Sequence, residues 1–226
     1  MAKVILFGTG RGADIAYRYL SADTDHQVVA FTVDEAYMQR RLFHGLEVVP
    51  FESVDRMLPP SDHRMLVLLG FEGMNRLRQD KYLAAKAKGY GCISYVSSTV
   101  TSLEPLAIGE NCFILEQQIF NLDAQIGDNV VMWSGNHLGD SVRVMDHCWL
   151  SSRVSIAGYS TIEPRSVLGV GATVSHNVTV RRASFVGANA HIATDTEAGG
   201  VYILPSTPKA PLDSDRFLAC MRGTRL

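Results

Sequence analysis

Between Trp133 and Trp149 the chain reads WSGNHLGDSVRVMDHCW, which holds His137 and His147, two of its seven histidines, together with Asn136, Asp140 and Asp146. Arg153 follows shortly after. An imidazole titrates near neutral pH and is the usual side chain for taking a proton from an attacking amine or hydroxyl. A carboxylate with an unperturbed pKa near 4 is a weaker base, better suited to an amine than to a hydroxyl. The four cysteines, Cys92, Cys112, Cys148 and Cys220, match neither a zinc spacing nor a CxxC redox pair, so reduced thiols and no metal are expected.

A second group of chemically useful residues lies at the N-terminus. KVILF is followed by the turn Gly8-Thr9-Gly10-Arg11-Gly12-Ala13 and then by a helical run, RGADIAYRYLSAD. Strand, glycine turn and helix in that order suit a pyrophosphate, because backbone N–H groups at a helix N-terminus attract anions. Asp34, at the end of the next strand, sits where an acid can meet a ribose hydroxyl. A glycine turn that packs a helix on a sheet without any ligand is the plainer reading. Met74, Asn75 and Arg78 follow the strand expected at Met65–Phe71, at a strand C-terminal edge where α/β ligands bind; helix capping would explain them as well.

The elements that carry these residues fall into two kinds. Over residues 1–97 strands and helices alternate, with strands also expected at LEVVPF and CISYV and a helix from Met74 to Lys88, which predicts a small parallel sheet covered by helices. From Ile108 every sixth residue is apolar as far as Ile192, fifteen positions in all. Chance agreement is on the order of one in 100,000 at this composition. The residue four places later is small or Val in twelve of fourteen hexads, with Gln118 and Asn136 the exceptions. A period of six fits a parallel β-solenoid with three hexads to a triangular coil, about five coils over residues 98–197. Residues 198–226, with three prolines and a short helical pattern, are expected to cap the last coil.

Hydrophobic residues make up 46% of the 226 residues, charged ones 19%, and the formal net charge is -2 with no basic block. Nucleic acid and anionic membrane are therefore poor partners. No run approaches the roughly 18 apolar residues of a membrane helix. The opening MAKVILFGTG is too short an apolar stretch for a signal peptide, so a cytoplasmic protein is expected.

The hexads, with WSGNHLG, DHCWLSS, VSIAGYSTIEP and LGVGATV, resemble the hexapeptide-repeat sugar acyltransferases. With the Rossmann-like unit ahead of them, the chain is similar to the bacterial group that includes sialic acid O-acetyltransferases and nucleotide-amino-sugar N-acetyltransferases. That resemblance implies a left-handed β-helix, a homotrimer with active sites between subunits, and transfer of an acyl group, acetyl foremost, from acyl-CoA. The acceptor it implies is an amino sugar carried on a nucleotide for surface-polysaccharide synthesis. The glycine turn then serves a nucleotide sugar rather than NAD. Asn136, His137 and Gly139 match the family's pattern, whereas the histidine that serves as base falls at Asp140 and a later histidine falls at Arg153. Either Asp140 is the base, or His137 takes over with Asp140 orienting it. Asn136, His147 and Arg153 are then candidate substrate contacts, and Ala157, Gly158, Gly169 and Gly171 candidate coenzyme A contacts, although glycines that serve the turns alone fit equally. O-acylation of a sugar such as sialic acid, and a catalytically silent scaffold, are the alternative functions.

Overall fold

The computed structural model describes residues 1–223. Its first unit is a six-stranded sheet in the order β3-β4-β2-β1-β5-β6. The strands are β1 (Lys3–Phe7), β2 (Gln27–Val33), β3 (Leu42–Phe43), β4 (Leu46–Pro50), β5 (His63–Val67) and β6 (Gly91–Cys92). All pairings are parallel except the β3–β4 hairpin. Helices α1 (Arg11–Asp23), α2 (Val54–Met57) and α3 (Arg76–Ala87) connect them. β1 and β5 are hydrophobic runs buried on both faces, as a parallel sheet between helices requires. The strand expected to Phe71 ends at Val67, and α3 starts at Arg76. Met74 and Asn75 precede α3 with φ of 55° and 65°, a left-handed turn that helical geometry cannot absorb.

The second unit is a left-handed parallel β-helix built from two-residue strands. They stack into three faces of seven, six and five strands, with neighbouring strands in register eighteen residues apart, as Phe113 with Val131, except for the last pair, Phe185 with Val201. The first residue of each pair points outward and the second inward. Thus His137 faces out while Leu138 is buried. Fourteen of the fifteen periodic aliphatics are buried, and Ile108 packs against their core from the open end. At the corners the fourth residue of every hexad but the last takes a positive φ of 55–80°, including His147 and Arg153. The exceptions Gln118 and Asn136 are fully buried and bonded to each other's coils. Asn136 N–H donates to Gln118 Oε1, and the Asn136 side chain donates to Trp133 O and accepts from Val154 N–H.

The strand expected across Cys92–Val96 is divided between the two units. Gly91–Cys92 closes the α/β sheet, whereas Tyr95–Val96 pairs with Phe113–Ile114 as the first rung of the solenoid. At the far end Val201–Tyr202 adds a last rung beside Phe185–Val186. Tyr202 packs on the solenoid core. The terminal helix α4 (Ser214–Gly223) has exposed side chains over Ser214–Met221 and covers no coil. No described helix is long and apolar enough to cross a membrane.

Candidate active site

Over its first five strands the first face of the solenoid is shielded from solvent, and it opens only at Phe185 and Val201. Phe113, Val131, Trp149 and Val167 project from it into one apolar cluster with Ala13, Ala16, Leu20, Leu66 and Leu68 of the α/β unit. Polar bonds seal the rim. Arg78 is 0% exposed and donates to the backbone oxygens of Gly70, Asn129, His147 and Cys148 and to the side-chain oxygens of Asn75 and Asn129. Burial lowers its pKa to about 10, which still leaves it charged at neutral pH. Asn75 in turn donates to Arg165 O and Ser166 O. Neither side chain is left for a ligand, and Met74 packs against the same apolar cluster. These residues, expected at a ligand edge, join the two units instead.

His147 belongs to the same seam. Asn111 bonds both the N–H and the C=O of Val67 and donates to Asn129, and Asn129 donates to His147 Nδ1 at 3.0 Å. His147 accepts there only as neutral imidazole. Burial holds its pKa below the usual histidine range, with the charge of Arg78 acting in the same sense and that of Asp146 opposing. It is an interdomain ladder residue rather than a substrate contact. Asn136 is removed from the substrate-binding set likewise, since its amide is spent inside the coil.

At the C-terminal ends of β1, β2 and β5 lies a cavity of about 480 Å³. Gly8, Thr9, Gly10 and Asp34 line it as the sequence led one to expect, joined by Tyr37 and Lys81. Gly8 has φ +106°, open only to glycine, and a Cβ at Gly10 would meet nothing within 4 Å, so the turn stays accessible to a bulky anion. Gly12 has another task. A Cβ there would sit 2.8 Å from Leu68 O, so its absence lets α1 pack on the end of β5. Arg11 is not among the lining residues; its guanidinium pairs with Asp14 at 2.6 Å. Lys81, three residues beyond Arg78 on α3, reaches Asp34 at 2.6 Å. Sequence reading missed Lys81 because a surface lysine on a helix carries no local signal.

On the solenoid, His137 is half-buried on the second face, with Ser155 beside it in register. Asp140 is exposed at the next corner, where its backbone oxygen accepts from Tyr159 N–H. Among the described residues no hydrogen bond joins the two side chains, so Asp140 does not orient His137 within one chain. Arg153 is exposed and lines a shallow cavity of about 430 Å³ with Gln117, Ser134, Gly135, Ser152 and Val170. The expected coenzyme A residues do not form one groove in a single chain. Ala157 and Gly158 occupy the corner that follows the second face, Gly169 and Gly171 the corner that follows the first. Coil stacking accounts for two of the glycines. A Cβ on Gly169 would lie 2.6 Å from Ala188 N, and one on Gly158 would lie 3.0 Å from Asp140 O.

No family model matches the chain. An acyl-[acyl-carrier-protein]–UDP-N-acetylglucosamine O-acyltransferase of Agrobacterium fabrum is 32% identical over 89 residues, 36% of this chain and 33% of that protein. Its counterpart in Sinorhizobium fredii is 30% identical over 97 residues, 40% of this chain and 36% of that protein. The chain thus spans about a third of the length of the curated relatives it matches. Among solved structures, a His-to-Asn variant of perosamine N-acetyltransferase from Caulobacter crescentus, in complex with CoA and GDP-perosamine, is 25% identical with a TM-score of 0.79, over 89% of this chain and 93% of that one. The acetyltransferase domain of PglB from Neisseria gonorrhoeae, in complex with acetyl coenzyme A, has the same fold at 18% identity and a TM-score of 0.76, over 88% and 94% of the two chains. In architecture, a Rossmann-like unit ahead of a left-handed β-helix, the chain is similar to these acetyltransferases.

Proposed function

We propose that the protein moves an acyl group, acetyl foremost, from acyl-CoA to the amino group of a nucleotide-linked amino sugar used in surface-polysaccharide synthesis. The observation that carries this is the pairing of two features on one rigid frame. A cavity of nucleotide size sits on an open glycine turn, and the β-helix presents an imidazole, His137, whose side chain has no hydrogen-bond partner among the described residues. The similarity to a protein crystallised with CoA and GDP-perosamine supports it.

In this reading the amine attacks the thioester carbonyl and passes its proton to His137, the better base of the two candidates. The tetrahedral oxyanion collapses, the carbon–sulfur bond breaks, and the thiolate takes a proton to leave as free coenzyme A. Asp140 and Arg153 contact the acceptor or donor from the corners. The cavity at the glycine turn and the one at Arg153 share no lining residue. A neighbouring β-helix in a homotrimer supplies the missing wall and brings the Ala157–Gly158 corner of one subunit toward the Gly169–Gly171 corner of the next. In this reading the unit over residues 1–97 binds the nucleotide and the β-helix over residues 98–197 carries the acyl transfer. An acyl-CoA donor fits a cytoplasmic site of action.

Release of thiol from acetyl-CoA, screened over UDP-, dTDP- and GDP-amino sugars, tests the proposal. His137→Ala is expected to lower the rate by about 10²–10⁴-fold, with Asp140→Asn affecting it less. Unchanged turnover in the His137 variant would remove it as base. Release seen only with hydroxyl acceptors would favour O-acylation, the chemistry in the names of the curated relatives.

A further inference from the structure

One wall of the nucleotide cavity is assigned no role by the glycine turn or by Asp34. The chain leaves β2 at Val33, turns once over Glu35–Tyr37, and runs on through Gln39 and Arg40 along the same cavity. The turn and Asp34 account for a pyrophosphate and a ribose in that order. What lies beyond Asp34, farther from the phosphates, is the place for a base.

Two side chains there suit one. Tyr37 is 70% exposed yet lines the cavity, leaving a ring face free for stacking. Its segment is anchored on both sides. Glu35 N–H donates to the Glu52 carboxylate at 3.0 Å, Asp34 is held by Lys81, and Met38 packs into the core. The Arg40 guanidinium lies 5.2 Å over the ring of Phe43, which packs edge-on against Phe31 at 4.9 Å. Arg40 is therefore placed by a fixed platform rather than free in solvent.

A guanidinium offers donors only. Guanine presents two adjacent acceptors, N7 and O6, which match it; adenine sets a donor beside N7. Uracil and thymine separate their carbonyls by an N–H. We infer that Tyr37 stacks on the base and Arg40 selects guanine, so that the acceptor sugar is carried on guanosine diphosphate. This rests on the acyl-transfer reading only for the sugar; the base preference belongs to the α/β unit alone.

Titration calorimetry of the full chain with GDP, UDP, dTDP and ADP, without acyl-CoA, tests it. GDP should bind about tenfold or more tighter than the others. Arg40→Gln should bring GDP to their level, and Tyr37→Ala should weaken all four by a similar factor of about ten. Both positions are exposed, so unchanged thermal unfolding is expected of the variants. Equal binding of UDP, dTDP or ADP, or a GDP preference that survives Arg40→Gln, overturns the inference. So does failure of every nucleotide to bind, which removes the nucleotide-sugar acceptor too. Thiol release with UDP- or dTDP-amino sugars alone would sink the guanine assignment and leave acyl transfer standing. GDP binding without thiol release from any GDP-amino sugar would do the reverse.

Discussion

His137 and His147 look alike in the sequence, ten residues apart in one polar stretch. His137 begins a two-residue strand and projects from the second face. His147 sits at a corner in the left-handed region and accepts a hydrogen bond from Asn129 inside the interdomain seam. Its depressed pKa has a consequence for stability. The folded state favours the neutral ring, so the stabilisation is complete above the ordinary value of 6.5 and is lost as pH falls below it through the folded value. Chemical denaturation between pH 7.5 and 5 should show stability declining below about 6.5. His147→Asn, which continues the Asn111–Asn129 ladder, should flatten that decline; an unchanged acid limb would mean that other groups cause it.

At the scale of elements, the six-residue beat was legible because every inward position repeats one requirement, an aliphatic with a small partner four places later. The breaks in that rule were legible as breaks but not in meaning. Asn136 stands beside His137 in sequence, yet its amide closes a bond to Val154 N–H one coil away, eighteen residues on. Glycine at the corners has a comparable cause. A Cβ on Gly139 would fall 2.6 Å from Gly158 N, so Gly139→Ala should separate adjacent coils and cost about 1–3 kcal/mol by urea unfolding. Loss of a few tenths only would show that the coils slide apart freely.

For the whole molecule the α3 helix links the two units. Asn75, just ahead of it, and Arg78 and Tyr82 on one side reach into the solenoid, where the Tyr82 hydroxyl donates to Glu110 and Asp128. The other side carries Leu77 and Lys81 to the nucleotide cavity. Arg78→Met keeps much of the volume but leaves the backbone oxygens of Gly70, Asn129 and His147 without this donor, while Cys148 O keeps the Val131 N–H. Since each buried acceptor left unpaired costs about 1–3 kcal/mol, the variant should lose at least 3 kcal/mol or so. Its urea transition should divide into separate α/β and solenoid steps, whereas the native chain should unfold in one. A single transition in both would mean that the apolar cluster alone joins the units.

The sequence by itself determined the α/β unit, the solenoid and the glycine turn with Asp34. Each follows from local spacing, a period of two, 3.6 or six, or a turn that only glycine permits. Tertiary structure alone decided which polar residues remain free. Asn75, Arg78 and His147 are surface-like by type, and nothing within their neighbourhoods in the chain reveals that carbonyls and amides up to 91 residues away consume them. It also brought Lys81 to Asp34 across 47 residues, because a parallel sheet gathers the ends of separate strands and helices at one edge.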